Sequence, residues 1–312
     1  MAKQFLRTTL FFLIFLLLFA GFSHLLVPKN NSAEAGIHDD WAKGFLAEPE
    51  DTIDVLILGD SEVYSCVAPL LIWQNHGITS YSCGTSDQKL YQTESYLQRF
   101  FETQNPKIVL LETNILYRDY STTSIIPHLF EEAFPLVRYH DRWKRLSGAD
   151  LTQGVEFTHI QQHKGYMYLT DILPADDSNY MAYTDEWNPI PGKSVRHVNN
   201  ILKFCQEHGA RLILFSSPST ANWDYLRHNA TQALAWELDL EYLDMNLMRE
   251  EIPIDWQVDT RDHGDHLNHT GAEKLTLWLG QYLEDMGIFR DKRAEDAYAD
   301  WNVQLQNFLN NK

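Results

Sequence analysis

The sequence predicts an α/β protein built on a parallel sheet, interrupted by one irregular insertion. Two observations predict it. From Ile53 onward, short apolar runs ending in a glycine or a polar residue alternate with segments of helical spacing. "IDVLILG" precedes "VAPLLIWQNHG", "ITSYSCG" precedes "LYQTESYLQRFFETQNP", and "KIVLLETN" closes the first half. After an aromatic stretch the alternation resumes with "SVRHVNNILKFCQEHG", "ARLILFSSPS", "WDYLRHNATQALAWELD" and "LEYLDMN". Strand, helix, strand, helix, strand implies parallel strands joined by right-handed crossovers.

The elements follow in order. Residues 1–28 carry Lys3 and Arg7 ahead of an apolar run, Leu10 to Val27, that contains no acid, Lys or Arg. Its length approaches a bilayer core, so it is expected to be a transmembrane anchor. The basic flank then leaves the rest of the chain outside the cytoplasm. A cleaved signal peptide is the alternative, with a small-x-small site at Ala33 and Ala35. Residues 29–51 are polar and read as a stalk, and 52–290 as the α/β domain. Gly77 stops the first helix and Pro106 closes the second. The insertion, 115–195, has no clear period and is too long for an ordinary loop. It reads equally as a lid or substrate wall and as a structural subdomain. Gly271 to Met286 is the last core helix, with Gly287 as its stop. Residues 291–312 read as an exposed helical tail.

Composition excludes some functions. The 312 residues are 44% hydrophobic, enough for a large core, and carry a formal charge of −18. That charge argues against nucleic acid, which needs a basic face. Of three cysteines, Cys66 and Cys83 are candidates to pair in an oxidising space, and Cys205 reads as a buried thiol. There is no Cys-x-x-Cys pair, so structural zinc is not expected. No cofactor is expected either.

The chemistry centres on "VLILGDSEVYS", Val55 to Ser65. Gly-Asp-Ser after a buried strand has two readings. Asp60 or Ser61 caps the following helix. Alternatively, Ser61 is a nucleophile on the strand-to-helix turn, where open α/β sheets bind ligands. Ser61, Gly84 and Asn114 each end or follow a strand, and parallel strand ends share one edge. The late loop "RDHGDHLNHTG" supplies His266 with Asp262 and Asp265. Serine needs an adjacent base, which histidine provides and a carboxylate orients. The backbone N–H of Ser61 or Gly84 and the Asn114 amide are candidate oxyanion donors. His263 and His266, with Asp262 and Asp265, are also a candidate metal pair, although no metal is expected.

This set, Gly59-Asp60-Ser61, Gly84, Asn114 and a late Asp/His loop, resembles the SGNH (GDSL-type) hydrolase superfamily. It spans about Ile53 to Met286 apart from the insertion. "LETN", "YHDRW" and "GDHLNHTGAEKLT" resemble most the membrane-anchored DltD-like and AlgJ/AlgX-like acyltransferase group. The resemblance implies a three-layer α/β/α sandwich with a parallel central sheet. It also implies an extracytoplasmic serine acyltransferase or esterase acting on O-acyl, chiefly O-acetyl, groups of a cell-envelope carbohydrate through an acyl-Ser61 intermediate. A membrane-bound O-acyltransferase is the implied partner. Deacetylation without transfer, and an inactive glycan-binding scaffold, are the rival readings.

Four positions depart from the family pattern. Glu62 stands for the usual leucine, Glu112 for a glycine, Ile115 for the aspartate after the asparagine, and His263 for the aspartate three residues before His266. Asp262 is the preferred orienting acid, because the adjacent Asp265 would have to fold back to reach the ring. His140, Arg142 and Tyr166 are candidate substrate contacts, with packing as the other reading of each.

Overall fold

Successive strand residues face opposite sides of a sheet, and a strand apolar on both sides must be covered twice. In the computed structural model, which describes residues 2–311, five such strands form one sheet. They are β1 (Val55–Gly59), β2 (Ser80–Gly84), β3 (Ile108–Glu112), β4 (Arg211–Ser216) and β5 (Glu241–Asp244). Their order is β2-β1-β3-β4-β5, and every neighbouring pair is parallel.

The helices are α1 (Ala2–Leu26), α2 (Ser61–Cys66), α3 (Pro69–His76), α4 (Leu90–Phe100), α5 (Thr122–Ala133), α6 (Gly192–Glu207), α7 (Tyr225–Glu237), α8 (His269–Asp285) and α9 (Ala299–Asn310), beside several shorter turns. Leu56, Leu58, Leu111 and Leu214 pack with Leu97 of α4, Ile201 of α6 and Leu234 of α7. Val55, Ile57, Leu110 and Phe215 pack with Val63 of α2, Ile72 of α3 and Leu279 of α8. The result is a three-layer α/β/α arrangement, the parallel α/β protein that the alternation predicts and the layering that the resemblance implies.

The chain divides into two compact units. The sheet unit holds Trp41–Asp119 and everything from Ile160 onward. The other holds the chain up to Asp40 together with Tyr120–His159. Its α1 is 25 residues long and is the one helix among the described residues long and apolar enough to cross a membrane. Arg142 is buried there and donates through Nη1 to the carbonyls of Leu26 and Val27, each at 2.8 Å, and through Nη2 to Asp150 at 2.6 Å.

The insertion is therefore two different objects. Residues 120–159 belong to the helical unit. Residues 160–191 contain no regular element and strap the sheet unit, with Met167 N donating to Tyr64 O at 2.9 Å and Ala175 N to Trp256 O at 2.9 Å. Two further expectations need correction. The second half of the supposed stalk is core: Ala42 and Phe45 are fully buried under the sheet. The supposed exposed tail is anchored as well. Trp301, Leu305 and Phe308 of α9 bury themselves against Leu70, Leu71 and Trp73 of α3. Both stretches looked polar because their buried residues are few and widely spaced. The three cysteines are buried and unpaired.

The α9 contact is substantial. The Trp301 ring lies 5.4 Å from that of Trp73, and the Lys164 ammonium sits 4.2 Å above the Trp301 ring. Lys164 is itself buried against Glu48 at 2.6 and 2.8 Å. Replacing a buried tryptophan by alanine costs about 3–5 kcal/mol. Trp301→Ala is expected to lower unfolding free energy by that order in urea titrations. A loss of less than ~1 kcal/mol would mean that α9 is an ornament on the fold.

Candidate active site

In the strand order β2-β1-β3-β4-β5 the connections leave β1 in opposite directions, and such a switch point opens a crevice at the carboxyl ends of β1 and β3. Ser61 follows β1 directly and Asn114 lies two residues beyond β3. The turn between β1 and α2 divides the two roles that the sequence left open. Asp60 is the cap: its carboxylate accepts from Glu62 N at 3.1 Å. Ser61 is left free, and its hydroxyl donates to His266 Nε2 at 2.7 Å.

The loop before α8 brings the histidine there. Asp262 Oδ1 accepts from the backbone N–H of His266 at 2.6 Å, and its Oδ2 faces the ring Nδ1 at 2.7 Å. A carboxylate only accepts, so Nδ1 carries the proton and Nε2 is the acceptor for Ser61. Asp265 Oδ2 lies farther from Nδ1, at 3.6 Å, and its other oxygen accepts from Asn222 Nδ2. Asp262 is four residues before the histidine instead of three because His263 and Gly264 both have positive φ, +61° and +87°. The coil takes up one extra residue. A Cβ on Gly264 would sit 1.8 Å from Thr220 Oγ1, so no other residue fits that turn.

Asn114 is held from both sides. Its Nδ2 donates to Asp60 Oδ2 at 3.1 Å, and its Oδ1 accepts from Arg227 Nη1 at 3.1 Å. That fixes which way the amide points and leaves its second N–H for an oxyanion. Arg227 stacks 4.6 Å from the centre of the Tyr117 ring, and Arg118 Nε donates to Asp60 at 2.5 Å. At Gly84 a Cβ would lie 2.4 Å from the Asp60 carbonyl, so β2 approaches the Ser61 turn with no room for a side chain.

The electrostatics favour a base at His266. Burial by itself pushes its imidazole pKa down, but the Asp262 hydrogen bond, helped by the neighbouring acids, outweighs it, and the pKa is raised. Burial also works against Asp262, yet its bonds to His266 hold its carboxyl below the usual range. Glu62 and Glu112 differ. Burial pushes both well above the carboxylate range, and Asp60 adds to this. Asp262 is therefore the ionised partner of the ring.

The sequence reading missed most of the supporting shell. Glu62 accepts from Asn222 Nδ2 at 3.0 Å and from Ser217 Oγ at 3.2 Å. Glu112 accepts from Asn114 N at 2.8 Å. Ser219 Oγ donates to the carbonyls of Gly264 and Asp265, both at 2.9 Å, and so pins the histidine loop. One signal was available: "SSPST" follows β4 at the same sheet edge as Ser61 and Asn114. Asn222 and Arg227 lie past that end and have no motif to mark them.

Other expected contacts go elsewhere. Tyr166 is buried, with its hydroxyl 3.1 Å from His269 Nδ1. Arg142 is occupied in the helical unit as described, and the exposed His140 of that unit turns Nδ1 to the Val137 carbonyl at 2.8 Å. His263 turns Nδ1 to the Pro174 carbonyl at 2.9 Å, away from a shared metal position. Donor atoms of Glu62, Asp265 and His266 do gather within 4.8 Å. Those of His266 face Ser61 and Asp262, and Asn222 bonds both acids.

No protein-family model and no curated protein matches the chain. Solved structures do. A GDSL-like lipase from Bacteroides thetaiotaomicron is 12% identical, with a TM-score of 0.38 over 79% of this chain and 96% of that one. The psychrotrophic esterase EstA from Pseudoalteromonas is 11% identical, with a TM-score of 0.38 over 75% and 97%. A carbohydrate acetylesterase family member from Sinorhizobium meliloti is 10% identical, with a TM-score of 0.37 over 75% and 98%. At such identities and TM-scores these likenesses bear no weight on the site.

The Asp262–His266 pair can be tested without any substrate. Following imidazole resonances by NMR, with His266→Gln to assign the signal, His266 is expected to titrate above ~6.5. In Asp262→Asn its midpoint should fall, because burial then acts with less opposition. A midpoint unchanged in Asp262→Asn but lowered in Asp265→Asn would transfer the orienting role to Asp265.

Proposed function

We propose that this chain is a serine acyl-ester enzyme of the SGNH type, working on O-acyl groups of a cell-envelope carbohydrate. The observation that carries the chemistry is the run Asp262–His266–Ser61, 2.7 Å at each step, at the sheet's switch point beside an oriented Asn114. The resemblance in "GDS", "LETN" and the late His loop supports the carbohydrate and the acetyl group. The apolar α1 with its basic flank supports a membrane anchor that holds the catalytic unit outside the cytoplasm.

The steps balance with the residues present. Ser61 Oγ bonds to the ester carbonyl carbon as its proton passes to His266 Nε2. The carbonyl oxygen becomes an oxyanion and takes the free N–H of Asn114. Asp262 stabilises the imidazolium that forms. The ester C–O bond then breaks, and His266 returns the proton to the leaving alkoxide. A second hydroxyl repeats the sequence in reverse and frees Ser61. Water as that hydroxyl makes an esterase, and a sugar hydroxyl makes a transferase. The family resemblance favours transfer, with a membrane-bound O-acyltransferase as the donor partner.

The test is the full chain in detergent with an activated acetyl ester, followed by ester cleavage and intact mass. Wild type is expected to turn over, or to gain one acetyl group on Ser61. Ser61→Ala and His266→Ala should each lose about three orders of magnitude or more. Equal rates in wild type and Ser61→Ala would reduce "GDS" to a helix cap. With envelope glycans added, acetyl appearing on glycan marks a transferase, and free acetate alone marks an esterase.

A further inference from the structure

In the helical unit, α5 wears its amphipathic pattern inside out. Ile126, Leu129 and Phe130 follow helical spacing i, i+3, i+4 and so share one face. They are 60%, 58% and 55% exposed, whereas Ile125 and His128 are half-buried. Val137 and Trp143 of the same unit are exposed as well. A helix in water ordinarily turns such a stripe inward.

This surface is continuous with α1. The Phe19 ring of α1 meets Phe134 edge-on at 5.3 Å, and Phe134 lies 5.2 Å from Phe130 of α5. Phe19 stands seven residues before Leu26, where α1 ends. At 1.5 Å per residue that is about 10 Å along the axis, the depth to which interfacial helices sink their apolar face. A basic run adjoins the residue that holds the end of α1; within it Arg138 pairs with Glu132 at 3.7 Å and Lys144 with Asp141 at 2.8 Å. Arg142 grips the carbonyls of Leu26 and Val27, and Arg138, Lys144 and Arg145 lie close to it in sequence, with Asp141 the one acid between them. Trp143 sits within that group. Basic residues and tryptophan together suit the headgroup level of a membrane. In a chain of net charge −18 such a cluster stands out.

We propose that α5 is an in-plane membrane helix: its Ile126–Leu129–Phe130 face lies in the acyl-chain boundary of the bilayer that α1 crosses, and Arg138, Lys144 and Arg145 meet anionic lipid headgroups. The proposal rests on α1 being a membrane anchor. It makes residues 120–159 a seat on the lipid surface, not a lid.

The full chain in nanodiscs of phosphatidylethanolamine and phosphatidylglycerol tests it. The native cysteines are buried, so single introduced cysteines take the dye. An environment-sensitive fluorophore is placed at Leu129→Cys, at Leu17→Cys in α1, and at Trp236→Cys, an exposed position of the sheet unit. Doxyl-labelled lipid is expected to quench the 129 probe severalfold more than iodide does, and the 236 probe in the reverse order. Phosphatidylglycerol should strengthen the lipid quenching at 129, and Arg138→Gln/Lys144→Gln/Arg145→Gln should weaken it. Iodide quenching at 129 like that at 236 would overturn the proposal. So would protection from both quenchers, which would mean that protein covers the face. If the 17 probe is itself not quenched by lipid, the anchor reading fails and this proposal falls with it. If 17 is lipid-quenched and 129 is not, the proposal alone falls.

Discussion

The site depends on one buried carboxylate, that of Asp60. It has no exposed surface, yet it accepts from Glu62 N, Asn114 Nδ2 and Arg118 Nε. Burying such a group is costly unless its hydrogen bonds are made, and here each goes to a different part of the site. The first bond caps α2 and sets the turn that carries Ser61. The second fixes the Asn114 amide, and the third brings a cation to offset the charge. Losing one partner would leave the carboxylate unsatisfied, so the turns after β1 and β3 must hold their positions together. Ser61 and Asn114 keep a shared geometry because both answer to Asp60.

Around that pin the site is rich in acids. Asp262 and Asp265 flank His266, while Glu62 and Glu112 lie beneath with their carboxyls pushed well above the usual range by burial. The two glutamates therefore add hydrogen-bonding capacity more than charge. They meet at Ser217, and Asn222 joins Glu62 to Asp265. A buried polar network is stable only where its members are satisfied. For each buried glutamate the chain supplies the partners that burial of an acid demands: Ser217 and Asn222 for Glu62, and Ser217 and the backbone N–H of Asn114 for Glu112.

Much of this was legible before folding. The β-strands showed because a strand covered on both faces must be apolar throughout, as in "VLILG" and "KIVLL". Gly77 marked a helix end because its φ of +63° suits glycine. Asp262 could be preferred as the partner of His266, because the adjacent Asp265 would have to fold back to reach the ring. The supporting residues were not legible. Asn222, Arg227 and Ser219 act from beyond β4, and their partners lie 43 to 160 residues away in sequence. The burial of Phe45 and Trp301 was missed for a related reason. Each lies in a mostly polar stretch, and isolated apolar residues carry no period to read.

By itself the sequence determined the parallel α/β fold, the candidate nucleophile and base, and an apolar segment long enough for a bilayer. These are local properties: apolar period, turn chemistry and run length act within a few residues. Tertiary structure alone decided that Asp60 caps while Ser61 faces His266, that Asp262 stands closer to the ring than Asp265, and that α5 turns its apolar stripe outward. Those outcomes hinge on differences of an ångström or so between atoms far apart in the chain, and on which face of a helix finds a partner. Only the packed chain sets either of them.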